Sequence, residues 1–358
     1  MTHRRLAALL LLLLSPMQGR AQQAPEAASD PIKAIDAEFA RKFQDLDRER
    51  LSKLAELAGG SEGQQAVLAY ETFFRSALGS GLYQEAEPLA QRVLSEGPPS
   101  PVVRYLAEVA NIMAEADRGD FEESFQSIVR AVQAGRDAAD DEAELARQAM
   151  PASARLSLLD TYYQRLVQAG QYEIARKAFD TISRNAQEGG EPAVLDYLAN
   201  RIAQLDMIGR PAPDFEGHDV DGRLIRLQDY AGKPVLLVFW ATWHRPNIEQ
   251  VAWMKEAIAP YRDKGLQIIG VNLDAMSEVD RPIAEVAPEV RRYILDYNIP
   301  WPNIINTRGE TDLSDAYGVT EIPANVLIDE KGMISGLDLS RANFSQEIDR
   351  AMGNAGTE

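Results

Sequence analysis

No cysteine occurs anywhere in the 358-residue sequence. That absence excludes structural disulfides, thiolate metal ligands, and any thiol peroxidase or disulfide-exchange step carried by this chain alone. Histidine is nearly as scarce: His3, His218 and His244 are the whole supply. No H-x-x-x-H, H-x-H or Ser-His-Asp spacing surrounds His218 or His244, so a metal site would need carboxylates brought in by the fold, and the sequence itself nominates none. P-loop and GxGxxG motifs and basic aromatic stripes are missing too, which leaves nucleotides and nucleic acids without a motif. No cofactor is implied. Basic residues are outnumbered, 37 against 55 acidic, for a formal net charge of −18. That balance argues against nucleic acid or an anionic membrane surface as a partner.

The N-terminus supplies the first positive signal. Arg4 and Arg5 precede an apolar run over 6–14, and Gly19 and Ala21 offer small residues before Gln22. Residues 1–21 therefore read as a secretory signal peptide, and export to the periplasm or the medium is expected. The run ends at Pro16, too short to span a bilayer, so no membrane insertion is expected after cleavage. Cleavage would remove Arg4, Arg5 and Arg20 and take the net charge to −21. Residues 22–30, QQAPEAASD, are small and polar and read as a flexible leader.

Over 31–205 the pattern is helical, with Ala, Leu, Glu, Arg and Gln dominant and apolar residues at three- and four-residue spacing. Three stretches share a pattern: GLYQEAEPLAQRVL from Gly81, GDFEESFQSIVRAV from Gly119 and GQYEIARKAFDTIS from Gly170. Each has a glycine, an aromatic two places on, and a small residue three further on. The pattern resembles the second helix of tetratricopeptide-like hairpins, where the small residue lets neighbouring helices approach closely. The spacings of 38 and 51 residues are irregular, which implies a degenerate hairpin array. After 206 the period changes. Strands are expected over 224–227, 234–240, 266–273, near 304 and over 324–329, with helices over 248–261, 283–297 and from 345. The expectation is a multidomain chain: an all-α helical-hairpin domain over 31–205 and an α/β domain over 206–358.

The second domain carries a resemblance. IGRPAPDF at 208–215, DVDGRLIRLQDYAGKPVLLVFWATW at 219–243 and YGVTEIPANVLIDEKG at 317–332 resemble the extracytoplasmic thiol–disulfide oxidoreductases of the thioredoxin-like superfamily, the branch related to peroxiredoxins. In that family the tryptophan precedes Cys-x-Pro-Cys. Here the four places read His244, Arg245, Pro246 and Asn247, so no thiol catalyst is present. The resemblance implies that Pro323 is the family's cis-proline and that Ile322, before it, would pair backbone to backbone with a bound peptide. It also implies that Phe239 is core, that Trp243 flanks the site at the surface, and that Val238 stands where many relatives carry a buried aspartate. The expected site is therefore a degenerate one, with no catalytic residue and with Trp243, His244, Arg245, Pro246, Asn247, Ile322 and Pro323 as a binding surface. The function it implies is a redox-inactive protein- or peptide-binding module with a polypeptide partner. Two other classes stay open on sequence alone: an enzyme using His244 or a partner's thiols, and a structural part of a cell-envelope assembly. Oligomeric state is not set by the sequence.

Overall fold

The computed structural model describes residues 31–186, 191–244, 246–276, 280–309 and 312–353; the expected signal peptide and leader lie outside the described residues. The chain divides into two units, Met1–Leu46 and Asp47–Glu358. Of the first, the described residues begin helix α1 (Pro31–Gly60) and leave Ile35, Phe39 and Phe43 exposed.

In the second unit the glycine–aromatic pattern sets the helical architecture. Helices α2 (Gly63–Ser80), α3 (Tyr83–Glu96), α4 (Pro101–Arg118) and α5 (Phe121–Asp137) form two successive hairpins. Helices α6 (Asp140–Arg147), α7 (Ala152–Gln168), α8 (Tyr172–Ala186) and α9 (Pro192–Leu205) follow. Gly119 closes α4 with φ 85°, a left-handed conformation that costs glycine nothing and lets Asp120 N–H reach the Glu115 carbonyl at 2.9 Å. Gly81 and Gly170 follow α2 and α7 in the same way. The aromatic two places on is in each case the first residue of the next helix: Tyr83, Phe121 and Tyr172. The small residue three further on, Ala86, Ser124 or Ala175, is fully buried. The extra helix α6, inserted between the second and third repeats, accounts for the longer spacing of 51 residues.

The α/β part begins after α9. A ribbon of β1 (Glu216–His218) and β2 (Leu224–Arg226) is followed by a five-stranded mixed sheet, ordered β5-β4-β3-β6-β7. Its strands are β3 (Val235–Trp240), β4 (Gln267–Asn272), β5 (Asn303–Ile305), β6 (Ala324–Ile328) and β7 (Ile334–Leu337). β3 runs parallel to β4 and antiparallel to β6. Helices α10 (Pro246–Ile258), α11 (Ile283–Asp296), α12 (Leu313–Ala316) and α13 (Phe344–Ala351) complete it. The continuous apolar run of β3 is buried at every position, as a central strand covered on both faces requires. The expected strand at 224–227 is shorter, because Leu227 opens a 3-10 turn over Leu227–Tyr230. β1, α12 and β7, each of three or four residues, were not legible as periodic patterns.

Alternation along β3 divides the core. Leu236, Val238 and Trp240 face a cluster formed with Val251, Met254 and Phe344. Leu237 and Phe239 face the other way and belong to one buried cluster with Tyr163, Phe179, Leu198 and Leu205 of the helices. The helical region thus covers one face of the sheet, and the compositional change at 206 falls in a continuous core. Polar bonds fasten the same junction: Gln204 Nε2 donates to the Gly318 carbonyl at 2.7 Å, and Leu337 N–H donates to the Tyr172 hydroxyl at 3.2 Å.

Arg201 of α9 is the centre of this junction, with its side chain only 8% exposed. It donates to Asp160 Oδ1 and Gln204 Oε1, both at 3.0 Å. Glu321 lies at 3.5 Å and Asp338 at 3.9 Å. The guanidinium also stacks over Tyr163 and Tyr197, 4.4 Å and 5.1 Å from the ring centroids. Burial pushes the Asp338 carboxyl above the usual carboxylate range, while Arg201 and the Tyr163 hydroxyl pull it back. Removing the cation leaves that carboxylate buried without its counter-charge. Arg201→Ala should therefore cost about 3–5 kcal/mol in urea unfolding at neutral pH. A carboxyl whose folded value is raised loses stability as pH climbs above its unfolded value, so the loss should shrink as pH falls and Asp338 takes up a proton. A loss that is constant with pH would mean that Asp338 is not the group left behind.

Candidate functional site

The site expected from the sequence lies where β3 leaves the sheet. Ala241 is fully buried, Thr242 half-buried and Trp243 63% exposed. The His244 N–H donates to the Ala241 carbonyl at 3.2 Å, a tight turn that places the imidazole just ahead of α10. The rings of Trp243 and His244 meet edge to face, with centroids 6.0 Å apart. Pro246 and Asn247 begin α10, while Arg245 lies outside the described residues. Phe239 and Val238 are core, on opposite faces of the sheet.

The turn at Ile322–Pro323 comes to the same end of the sheet. The Ile322–Pro323 peptide is cis. Ala324, the next residue, pairs with Phe239 in the β6–β3 register, so the turn enters beside the segment that carries Trp243 and His244. Ile322 is half-buried against the core and Pro323 is exposed. Among the described residues the Ile322 N–H and carbonyl make no backbone hydrogen bond. His218, by contrast, sits exposed on the β1–β2 ribbon, which meets the main sheet through Asp219 and Ile304 at the β5 edge. The fold does not gather the two histidines.

Three supports were not visible in the sequence. Asp274, 2% exposed after β4, accepts from the Thr242 N–H at 2.9 Å and from Asn272 Nδ2 at 3.2 Å. It ties the turn before His244 to the neighbouring strand. Trp240 Nε1 donates to Asn303 Oδ1 at 3.0 Å, inside the sheet face that α10 covers. Glu321, immediately before the cis turn, reaches Arg201 of the helical region. These partners are separated by 32, 63 and 120 positions, and no local pattern could have joined them.

Comparison with known proteins agrees with this frame. A family model described as the AhpC/TSA family matches residues 208–336. The thiol-disulfide oxidoreductase ResA of Geobacillus kaustophilus is 31% identical over 143 residues, covering 40% of this chain and 75% of that protein. The chain belongs to this thioredoxin-like family. ResA of Bacillus thuringiensis is 33% identical over 127 residues, 36% of this chain, and the match spans 66% of that relative's length. Among solved structures, the chain is similar to a thiol:disulfide interchange protein DsbE from Chlorobium tepidum, with 28% identity, 40% of this chain and 96% of that one covered, and a TM-score of 0.35. Within this thioredoxin-like family the chain has the frame and lacks the thiols. Replacing His244 and Asn247 together by cysteine should restore a dithiol, since two cysteines at this spacing open a helix, whose N-terminus lowers the first thiol's pKa. Free-thiol titration after mild oxidation should show both thiols consumed in the monomer; two persistent thiols in a folded variant would show that the site is misaligned.

A second concavity lies in the helical region, with a volume of about 1470 Å³. It opens between α4, α5, α7 and α8 and does not touch His244. Glu108 of α4 lines it, and burial pushes the carboxyl from 4.5 up to about 7, with Arg104 opposing. The folded chain therefore holds this proton to higher pH than the unfolded chain, and stability falls as pH rises between these values. Glu108→Gln should stabilise the protein by about 1–2 kcal/mol at pH 8, allowing for partial solvent screening, and by nothing measurable below pH 4. Urea titrations at the two pH values decide it; equal effects at both would place the carboxyl in water.

Proposed function

We propose that this chain is an exported, redox-inactive member of its family that holds a polypeptide segment without covalent capture. The observation that carries the reading is the contrast at one place: the aromatic and proline frame of the site is intact while every sulfur that could react is absent. Turnover in disulfide reduction, isomerisation or thiol peroxidation passes through a protein thiolate, and this sequence contains none.

The remaining groups suit recognition. Trp243 presents a large, rigid, water-exposed surface of the kind that anchors interfaces. The Ile322 backbone is available for pairing with an extended segment in the manner of strand addition. His244 adds hydrogen-bonding nitrogens where the first sulfur of the family would stand. Among the described residues no helix is long and apolar enough to cross a membrane. Export rests on the basic and apolar N-terminal pattern, and the oxidoreductase names of the relatives describe those proteins.

Two measurements test the reading. Insulin reduction and peroxide consumption by the purified protein should stay at the rate of a heat-killed control. A protein recovered by pull-down from the cell's own extracytoplasmic fraction should bind the wild type, and Trp243→Ala should weaken it by about tenfold or more, the range of an interface anchor. Unchanged affinity in the folded variant would move the binding surface off the former redox site.

A further inference from the structure

The concavity of the helical region has its own chemical character. Val109, Ile112, Val132, Leu158, Leu159 and Ile182 line it, and each is only half-buried. Apolar side chains gathered in a trough, still partly open to water and rimmed by polar groups, form a surface that can seat the apolar face of a partner. The volume of about 1470 Å³ exceeds the range of about 300–1,000 Å³ usual for small-molecule pockets. A trough of that size suits a chain segment.

The charge around it is net negative. Where α5 passes into α6, Asp137, Asp140, Glu142 and Glu144 line the rim, and Glu108 and Glu191 add two more carboxyl groups. The lining holds three arginines, Arg104, Arg136 and Arg155, and Arg155 is already paired with Glu191 at 2.5 Å. Asp137, Asp140 and Glu142 stand in solvent, so their field falls on the mouth. Glu108 lies on the wall, half-buried among the apolar residues.

We propose that the trough between α4, α5, α7 and α8 binds a basic amphipathic segment of a polypeptide partner, its apolar face against Val109, Ile112, Val132 and Leu158 and its lysines or arginines toward the acidic rim. Apolar complementarity without charge would describe a neutral lipid or a second copy of this chain equally well. The net negative lining selects the cationic partner, because like charge facing an acidic segment is repulsive, while opposite charge gives specificity and faster encounter. Helix-in-groove recognition of this kind reads apolar anchors at helical spacing. The site is separate from the Trp243 surface and does not depend on it.

The test uses the full chain and a labelled peptide of leucine and lysine arranged at helical spacing, followed by fluorescence anisotropy. A second peptide has every lysine replaced by glutamate. The leucine–lysine peptide should bind at least about tenfold more tightly than its glutamate counterpart. Asp137→Lys/Asp140→Lys/Glu142→Lys, three exposed changes that leave the core alone, should weaken the lysine peptide by at least about tenfold in low salt, with a smaller loss in high salt. Val132→Lys should weaken it from the apolar side. Equal affinity for the two peptides, or indifference to the rim variant, overturns the proposal. So does displacement of the peptide by a neutral alkyl maltoside at concentrations below its micelle threshold, which would make the trough a lipid site. Loss of binding on Trp243→Ala with the rim variant still binding would place the peptide at the former redox site and also overturn it.

Discussion

The packing of the helices on the sheet depends on one buried cation. A guanidinium removed from water costs several kcal/mol unless its donors and its charge are met, and Arg201 meets them from several parts of the chain at once. Asp160 and Tyr163 come from α7, Tyr197 and Gln204 from α9, Glu321 from the loop before β6, and Asp338 from the end of β7. Apolar contact alone would tolerate small slides of the helices across the sheet, since dispersion is not directional. The fork of Arg201 does not. Its hydrogen bonds and its two aromatic faces are satisfied together in a single arrangement. Such a buried cluster contributes definition of geometry more than net stability, in keeping with the modest return of buried ion pairs elsewhere.

That constraint reaches the former redox site. Glu321 precedes the Ile322–Pro323 turn, so the wall of the site and the hub of the helical junction share adjacent residues. On the opposite side Asp274 holds the Thr242 N–H and fixes the turn that presents Trp243 and His244. Both anchors are main-chain or carboxylate contacts, and neither involves a sulfur. The scaffold of the site therefore does not need the cysteines of the family in order to keep its shape. A surface with an exposed tryptophan, an imidazole and, at Ile322, backbone groups that make no backbone hydrogen bond among the described residues persists, held by groups that are independent of redox chemistry.

Much of this was legible in the sequence wherever information was local. The run at 234–240 declared a central strand because every position is apolar and the segment is short, and the strand observed there is Val235–Trp240. Gly81, Gly119 and Gly170 marked helix hairpins because a left-handed residue, an aromatic helix start and a small buried residue fall within six positions of each other. β7 was illegible for the converse reason: four residues containing a serine and a glycine carry no period, and the strand exists because β6 offers it a ladder. α12 is one turn whose start is set by Asp312, which accepts the Ser314 and Asp315 N–H groups. Arg201 read as an ordinary helix arginine. Only the fold shows that it points into the protein, since its partners lie as far as 137 positions away in Asp338.

The two proposed recognition surfaces differ in what the sequence could say of them. The site at His244 is carried by a short motif with a family frame, and the sequence itself names the residues that stand where the family's cysteines would. The helical trough has no motif. Its walls come from six helices, α4 to α9, and most of its acids from the end of α5 and the start of α6, so no local pattern joins the acids to the apolar residues beside them. Net charge alone is a diffuse property that keeps a chain soluble and repels anionic surfaces. Concentrated on the rim of an apolar trough, the same charge becomes selective, because a bound cation sits beside surfaces of low dielectric that exclude water from the pair. The helices thus bring the acidic run at 137–144 beside apolar walls that lie far from it in sequence. Their packing against the sheet through Arg201 holds α7 and α9 in place, and with α7 one wall of the trough.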